Sequence, residues 1–198
     1  MRLLTVLLTT LAGVLAVAPA APAATSPSSF VRYSLSANAV PVVGLPGSKA
    51  YPRAHVIVPA AWKVTKRSAG KITLLTDKRE CPYVVTFSVR MAVGPSGTST
   101  EHVTAALPAA APAYVMDSGV RRSYAWRVVR QPSTRRLDAM QAVASTATWS
   151  GLPAGQSVWS ELRASAPVSS KAGECHSGHY REVARQIGDA IVVNTRMS

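Results

Sequence analysis

The sequence predicts an α+β domain: an antiparallel β-sheet with a short middle helix and a C-terminal helix packed on it, held by one disulfide and preceded by an export signal. Three observations carry this. Apolar residues alternate at period two through several segments, a capping box stands ahead of a short apolar-periodic stretch, and the last twenty residues carry an apolar stripe at helical spacing.

Taken from the start, Met1 and Arg2 lead into an apolar run over residues 3–18 and then into small residues and prolines over 19–24. A positive start, an apolar middle and an Ala-x-Ala end form a secretory signal. Ala21-Pro22-Ala23 satisfies the small-residue rule for cleavage, so the mature, secreted chain is expected to begin near Ala24. The apolar run is shorter than the roughly 20 residues that span a bilayer, and no cluster of charges follows to stop transfer. No transmembrane span is expected after signal removal. The expected organisation is a signal over 1–23, an extended Pro/Ser/Ala lead-in over 24–52, and a single α+β domain over 53–198.

Within that domain, residues 55–58, 62–65 and 71–76 read as short strands. The clearest strand follows: Tyr83, Val85, Phe87, Val89, Met91 and Val93 share one face, and Val84, Thr86, Ser88 and Arg90 the other. Thr98-x-x-Glu101 has the form of a capping box, in which hydroxyl and carboxylate satisfy each other's backbone N–H groups. The helix it opens runs through His102, Val103 and Leu107 and is limited by Pro108 and Pro112. Gly119 is expected to end that region. Tyr124, Trp126 and Val128 alternate with Ala125, Arg127 and Val129, and with segments 137–148 and 158–164 they predict a three-strand meander. Over 179–197, Tyr180, Val183, Ile187, Ala190 and Ile191 form a stripe opposite Arg181, Glu182, Arg185, Gln186 and Asp189, which predicts a terminal amphipathic helix.

The 22 Lys and Arg against 9 Asp and Glu give a formal charge of +13. Such an excess favours anionic partners, here an envelope polymer or lipid surface. The local density is highest on the hairpin that carries Arg121, Arg127, Arg130, Arg135 and Arg136, whose guanidinium groups suit bidentate contact with phosphate or carboxylate. Lys63, Lys66, Arg67 and Lys71 form a second cluster. Trp62, Trp126, Trp149 and Trp159 are spread along the chain and read as core, so no specific nucleic-acid platform is expected.

Cys81 and Cys175 are the only cysteines, and in an exported chain an even count makes a bridge the default. It would close a loop of roughly 90 residues, for which chain entropy gives about 4 to 5 kcal/mol. A reactive thiol or a metal ligand is the alternative. Cys175, His176 and His179 crowd together, but Cys81, His55 and His102 lack the paired spacing of a structural zinc site, so no metal is expected. There is no Gly-x-Ser-x-Gly elbow, no P-loop and no Gly-x-Gly-x-x-Gly, and no close carboxylate pair in an apolar setting. No cofactor is expected. The reading is a secreted, non-catalytic accessory or binding module. The alternatives are a small secreted hydrolase using Ser177 and His179, and a protein-binding toxin or inhibitor.

Val58-Pro59-x-x-Trp62, the paired strands up to Val93, a short helix, a meander and a closing helix resemble the PsbP-like fold, including the small LpqN-like exported proteins of actinobacteria. The resemblance covers residues 50–197 in order of elements. It implies an antiparallel sheet with helices packed on it, acting as a binding or accessory module, and it supplies no catalytic residues.

Overall fold

A computed structural model describes residues 29–38, 40–41, 47, 49–77, 81–107, 114–121, 124–131, 139–148, 153–169 and 177–197. The predicted export signal lies outside the described residues. No helix among them is long and apolar enough to cross a membrane.

Alternation at period two builds most of what is described. The elements are β1 (Phe30–Ser36), β2 (Val40–Pro41), β3 (Lys49–Pro59), β4 (Lys63–Ser68), β5 (Lys71–Leu75), β6 (Val84–Pro95), α1 (Ser99–Ala106), β7 (Tyr114–Arg121), β8 (Tyr124–Gln131), β9 (Ala139–Thr148), β10 (Gln156–Pro167), α2 (Ser177–Ala190) and β11 (Ile191–Met197). They form two sheets, not one. The larger runs β4-β5-β6-β10-β9-β8-β7, and the smaller runs β1-β3-β11 with β2 also on β3. Every pairing is antiparallel.

On the inner face of the large sheet, Ile72, Leu74, Val85, Phe87, Leu162, Ala164, Met140, Ala142 and Val128 are buried. They share one core with Leu35, Val56 and Val58 of the small sheet and with Val183, Ala184 and Ile187 of α2. The small sheet and α2 therefore cover the inner face side by side. The outer face carries a separate, smaller core in which Val103 of α1 and Leu107, its C-cap, lie on Ala125, Val129 and Val143. Among the described residues no element beyond α1 packs on the outer face of β4, β5, β6 and β10.

Several expectations need correction. Residues 24–52 are not simply a lead-in, because β1 pairs along β3 and buries Leu35 in the core. Gly119 does not end a region but lies inside β7, so the meander has four strands, β7 to β10. The terminal helix stops at Ala190, and β11 continues as a strand paired with β3. Its β-branched Ile191-Val192-Val193 favours extended backbone, and β3 offers an edge that a longer helix would leave unpaired. On β6 the alternation runs from Tyr83 to Val89, but Met91 is half-buried and Val93 is 63% exposed. The cover of the inner face ends near Val89, and the paired strands β6 and β10 extend past it.

The capping box forms as the spacing implies: Glu101 N–H donates to Thr98 Oγ1 at 3.2 Å and Thr98 N–H to Glu101 Oε2 at 2.7 Å. These bonds hold the Glu101 carboxyl below its ordinary range. Cys81 is fully buried and is not a free thiol. It lies beside the point where Ser169 N–H meets the Pro82 carbonyl and Tyr83 bridges Val168. Cys175, its expected partner, lies outside the described residues.

Trp126 explains two glycines. A Cβ on Gly188 of α2 would stand 2.8 Å from its Cζ3, and one on Gly119 of β7 would stand 3.0 Å from its Nε1. The ring is confined on both sides, so it cannot retreat. Gly188→Ala should gain up to about 1 kcal/mol of helix propensity and lose about 1 to 3 kcal/mol to overlap. We expect a net loss of about 1 to 2 kcal/mol, read as a lower urea midpoint at unchanged m-value. Relief of that loss in a Trp126→Leu background checks the cause.

Candidate anion-binding site

The organising group is one carboxylate. Glu161 on β10 has the outward parity of its strand, where a polar residue is expected, yet it is only 1% exposed because α1 and two arginines close over it. Its neighbour across β6 is Arg90, whose Nε donates to Oε2 at 2.6 Å. Two residues on in the same strand, Arg163 Nε donates to the same oxygen at 2.8 Å. From α1, His102 Nε2 lies 2.8 Å from Oε1.

The charge state follows from these bonds. Burial by itself raises the Glu161 pKa, but the donors Arg163, Arg90 and His102 together outweigh it and hold the carboxyl at about 2, against an ordinary 4.5. An ionised carboxylate can only accept, so His102 Nε2 carries the shared proton. The imidazole also stacks on Trp159, with ring centroids 4.1 Å apart and planes 13° off parallel. Trp159 is fully buried and its Nε1 donates to the Pro95 carbonyl at 3.1 Å. Glu161 and Trp159 thus latch α1 to the sheet through one side chain.

The consequence for the arginines is orientation. Arg90 is bound to Glu161 through Nε, and Arg163 through Nε with a longer contact of 3.5 Å from Nη2 to Oε1, and their side chains remain 50% and 34% exposed on the outer face. Arg163 pairs with Ser88, and Ser88 with Lys71, so Lys71, Ser88 and Arg163 form one cross-strand row. The adjacent row holds Thr73, Thr86 and Ser165, with the two threonine hydroxyls 3.1 Å apart. Lys66 pairs with Thr73 at the edge. Strands lie about 4.8 Å apart, so Lys71 and Arg163 stand about 10 Å apart at the backbone. Glu161 is the only acidic residue of β4, β5, β6 and β10, and it is already shared by two arginines and a histidine. The face sets cations among hydroxyls, with the half-buried pair Leu75 and Val84 as an apolar row beyond Thr73 and Thr86.

The sequence-predicted arginines separate. Arg127 lies on the outer face of β8, half-buried, in register with Val143. Arg130 lies on the inner face and stacks over Tyr180 of α2, its Cζ 4.1 Å from the ring centroid. Arg121 pairs with Tyr124 in the β7–β8 register, and its side chain is not described. Arg135 and Arg136 lie outside the described residues. In the second cluster, Lys66 and Lys71 join the open face, whereas Arg67 pairs with buried Ile72 and sits over Tyr33 at 5.5 Å. His179 and Ser177 open α2, and the Ser177 side chain is not described. Among the described residues no three of His, Cys, Asp and Glu gather as a metal site.

Sequence reasoning placed Arg90 on the polar side of β6 but missed its partners. The available signal was Trp159-x-Glu161-x-Arg163, an acid between an aromatic and an arginine at one parity of the strand. Comparison with protein-family models, with curated proteins and with solved structures finds no match to this chain.

Proposed function

We propose that the protein is an exported, non-catalytic binding module that engages a phosphate- or carboxylate-bearing polymer of the cell envelope on the open outer face of the large sheet. The observation that carries this is the Glu161 buttress. It holds Arg90 through Nε and Arg163 through Nε with a longer contact from Nη2, and leaves both side chains part-exposed on the face that carries Lys71 and Lys66. Such prealigned guanidinium groups lose little freedom when they take up an oxyanion. Ser88, Thr86, Thr73 and Ser165 add hydroxyls between the cations, and the apolar pair of this face, Leu75 and Val84, is half-buried and does not stand out as the anchors that a membrane-seated surface needs. A row of cations across strands suits a linear polyanion. The resemblance to the PsbP-like fold points the same way, toward an accessory module.

A Cys81–Cys175 bridge belongs to this reading, because it joins the buried thiol position beside β6 to the segment that enters α2. Secretion belongs to it as well, since export brings the cationic face to envelope polymers.

The test is retention of the mature protein on immobilised poly(glycerol phosphate) across a salt series. Lys66→Ala with Lys71→Ala, two exposed residues without ion pairs among the described residues, should weaken retention roughly tenfold and flatten its salt dependence. Arg90→Gln should add to the effect. Arg135→Ala with Arg136→Ala tests the hairpin. Loss there with full retention in the lysine variant would move the site to the hairpin, and full retention in both would end the anion-binding reading.

A further inference from the structure

On the other flank of α1 from the Glu161 cluster, the helix and the β7–β8 hairpin enclose an open cleft of about 260 Å³. Its walls are Val103, Val120 and Ala125, its rim carries the hydroxyls of Thr100 and Thr104, and Arg127 stands at it. Val103 and Ala125 are buried parts of the outer core, whereas Val120 is 70% exposed. The cleft therefore has an apolar floor with a valine left uncovered at its edge.

Arg127 is the informative residue. It is half-buried, and it forms no ion pair or hydrogen bond with any described residue. Arg90, Arg163 and Arg185 each hold a carboxylate, and Arg67 and Arg130 each lie over an aromatic ring. A partly desolvated guanidinium beside an apolar cleft is a poor resting place for a charge unless an anion completes it. Val143 separates Arg127 from Arg163 in the cross-strand row, and α1 covers that residue, so the cleft is distinct from the open cationic face.

We propose that this cleft binds a small amphipathic monoanion, an acyl carboxylate whose head pairs with Arg127 and whose chain lies on Val103, Val120 and Ala125. Its volume has room for roughly nine groups the size of a water molecule, the bulk of a six- to eight-carbon acid. One cation selects one negative charge. The apolar walls select a chain over a bare oxyanion, and the hydroxyl of Thr100 is available to meet the second carboxylate oxygen, since that of Thr104 donates to the Thr100 carbonyl.

The experiment is a titration of the isotope-labelled mature protein with octanoate, octan-1-ol and inorganic phosphate, followed by amide chemical shifts. Octanoate should shift the amides of Thr104, Val120 and Ala125 and saturate. Octanol and phosphate, each lacking half of the recognition, should bind at least roughly tenfold more weakly. Arg127→Gln should weaken octanoate roughly ten- to a hundredfold, the worth of a charged hydrogen bond, while the dispersion of its spectrum reports the fold. Arg90→Gln should leave octanoate binding intact. The proposal is overturned if octanoate shifts none of these amides, if octanol or phosphate binds equally well, or if Arg90→Gln removes binding and Arg127→Gln does not.

Discussion

Glu161→Gln should cost about 3 kcal/mol of stability at neutral pH and almost nothing near pH 2. Glutamine keeps the shape and the neutral charge of a protonated glutamate, so the variant isolates the ionised state. The folded-state pKa is lowered to about 2 from 4.5. A depressed carboxylate stabilises the native state above its unfolded pKa and loses that contribution as pH falls through the folded one. The increment is therefore whole above about pH 5, declines between 4.5 and 2, and is gone below. About 2.5 pH units at 1.36 kcal/mol each give its size. Urea unfolding of both proteins from pH 7 to pH 2 measures it as a narrowing gap. A gap that stays constant over that range would show that the carboxylate contributes packing alone. In binding assays the same variant should release the two arginines from their shared anchor and weaken retention on anionic polymer.

The second large effect is expected at Trp159. Its side chain is fully buried, lies flat against His102 and donates to the Pro95 carbonyl. Trp159→Ala should destabilise by about 3 to 5 kcal/mol through cavity formation. Trp159→Phe should cost less, since an aromatic face remains for His102 although the N–H donor is lost. The two variants also differ locally. α1 is held by its buried Val103, by its C-cap Leu107 and by the His102 contacts. Loss of the stacking surface should therefore raise hydrogen exchange of α1 amides ahead of those in β6 and β10, which share a long register. Uniform exchange across all three would show that α1 does not open as a unit.

Particular residues show how far the sequence carried the fold. Tyr83 to Val89 alternate without interruption, and that run led into an interior strand, β6, with its predicted face inward. Thr98 and Glu101 stand three apart and formed their box, and Pro108 follows the helix end at Ala106. Each of these signals is local, complete within a few residues. The segment 24–52 has no such period, because β1 is an edge strand with most of its residues exposed, in which Leu35 is buried and Tyr33 packs part-buried against the core. β11 was hidden for a different reason. Ile191 continues the helical stripe of α2 and also begins the strand, so one apolar residue serves both patterns.

The candidate site was less legible. Five arginines close in sequence suggested one cationic hairpin, but strand parity sends Arg127 and Arg130 to opposite faces. Proximity in the chain is not proximity in space when side chains alternate. The cations that do share a face with Arg90, namely Lys66, Lys71 and Arg163, come from three other strands, with Arg163 more than seventy positions from Arg90.

By itself the sequence determined the class of the protein: a strongly basic α+β chain with antiparallel strands, a capped short helix and an amphipathic one. Those features rest on interactions between neighbours a few residues apart, which periodicity and capping residues encode directly. Tertiary structure alone decided that there are two sheets, that β6 pairs with β10, and that a single buried carboxylate gathers Arg90, Arg163 and His102. Pairing between distant strands depends on which faces find cover when the whole chain packs, and no local pattern records that.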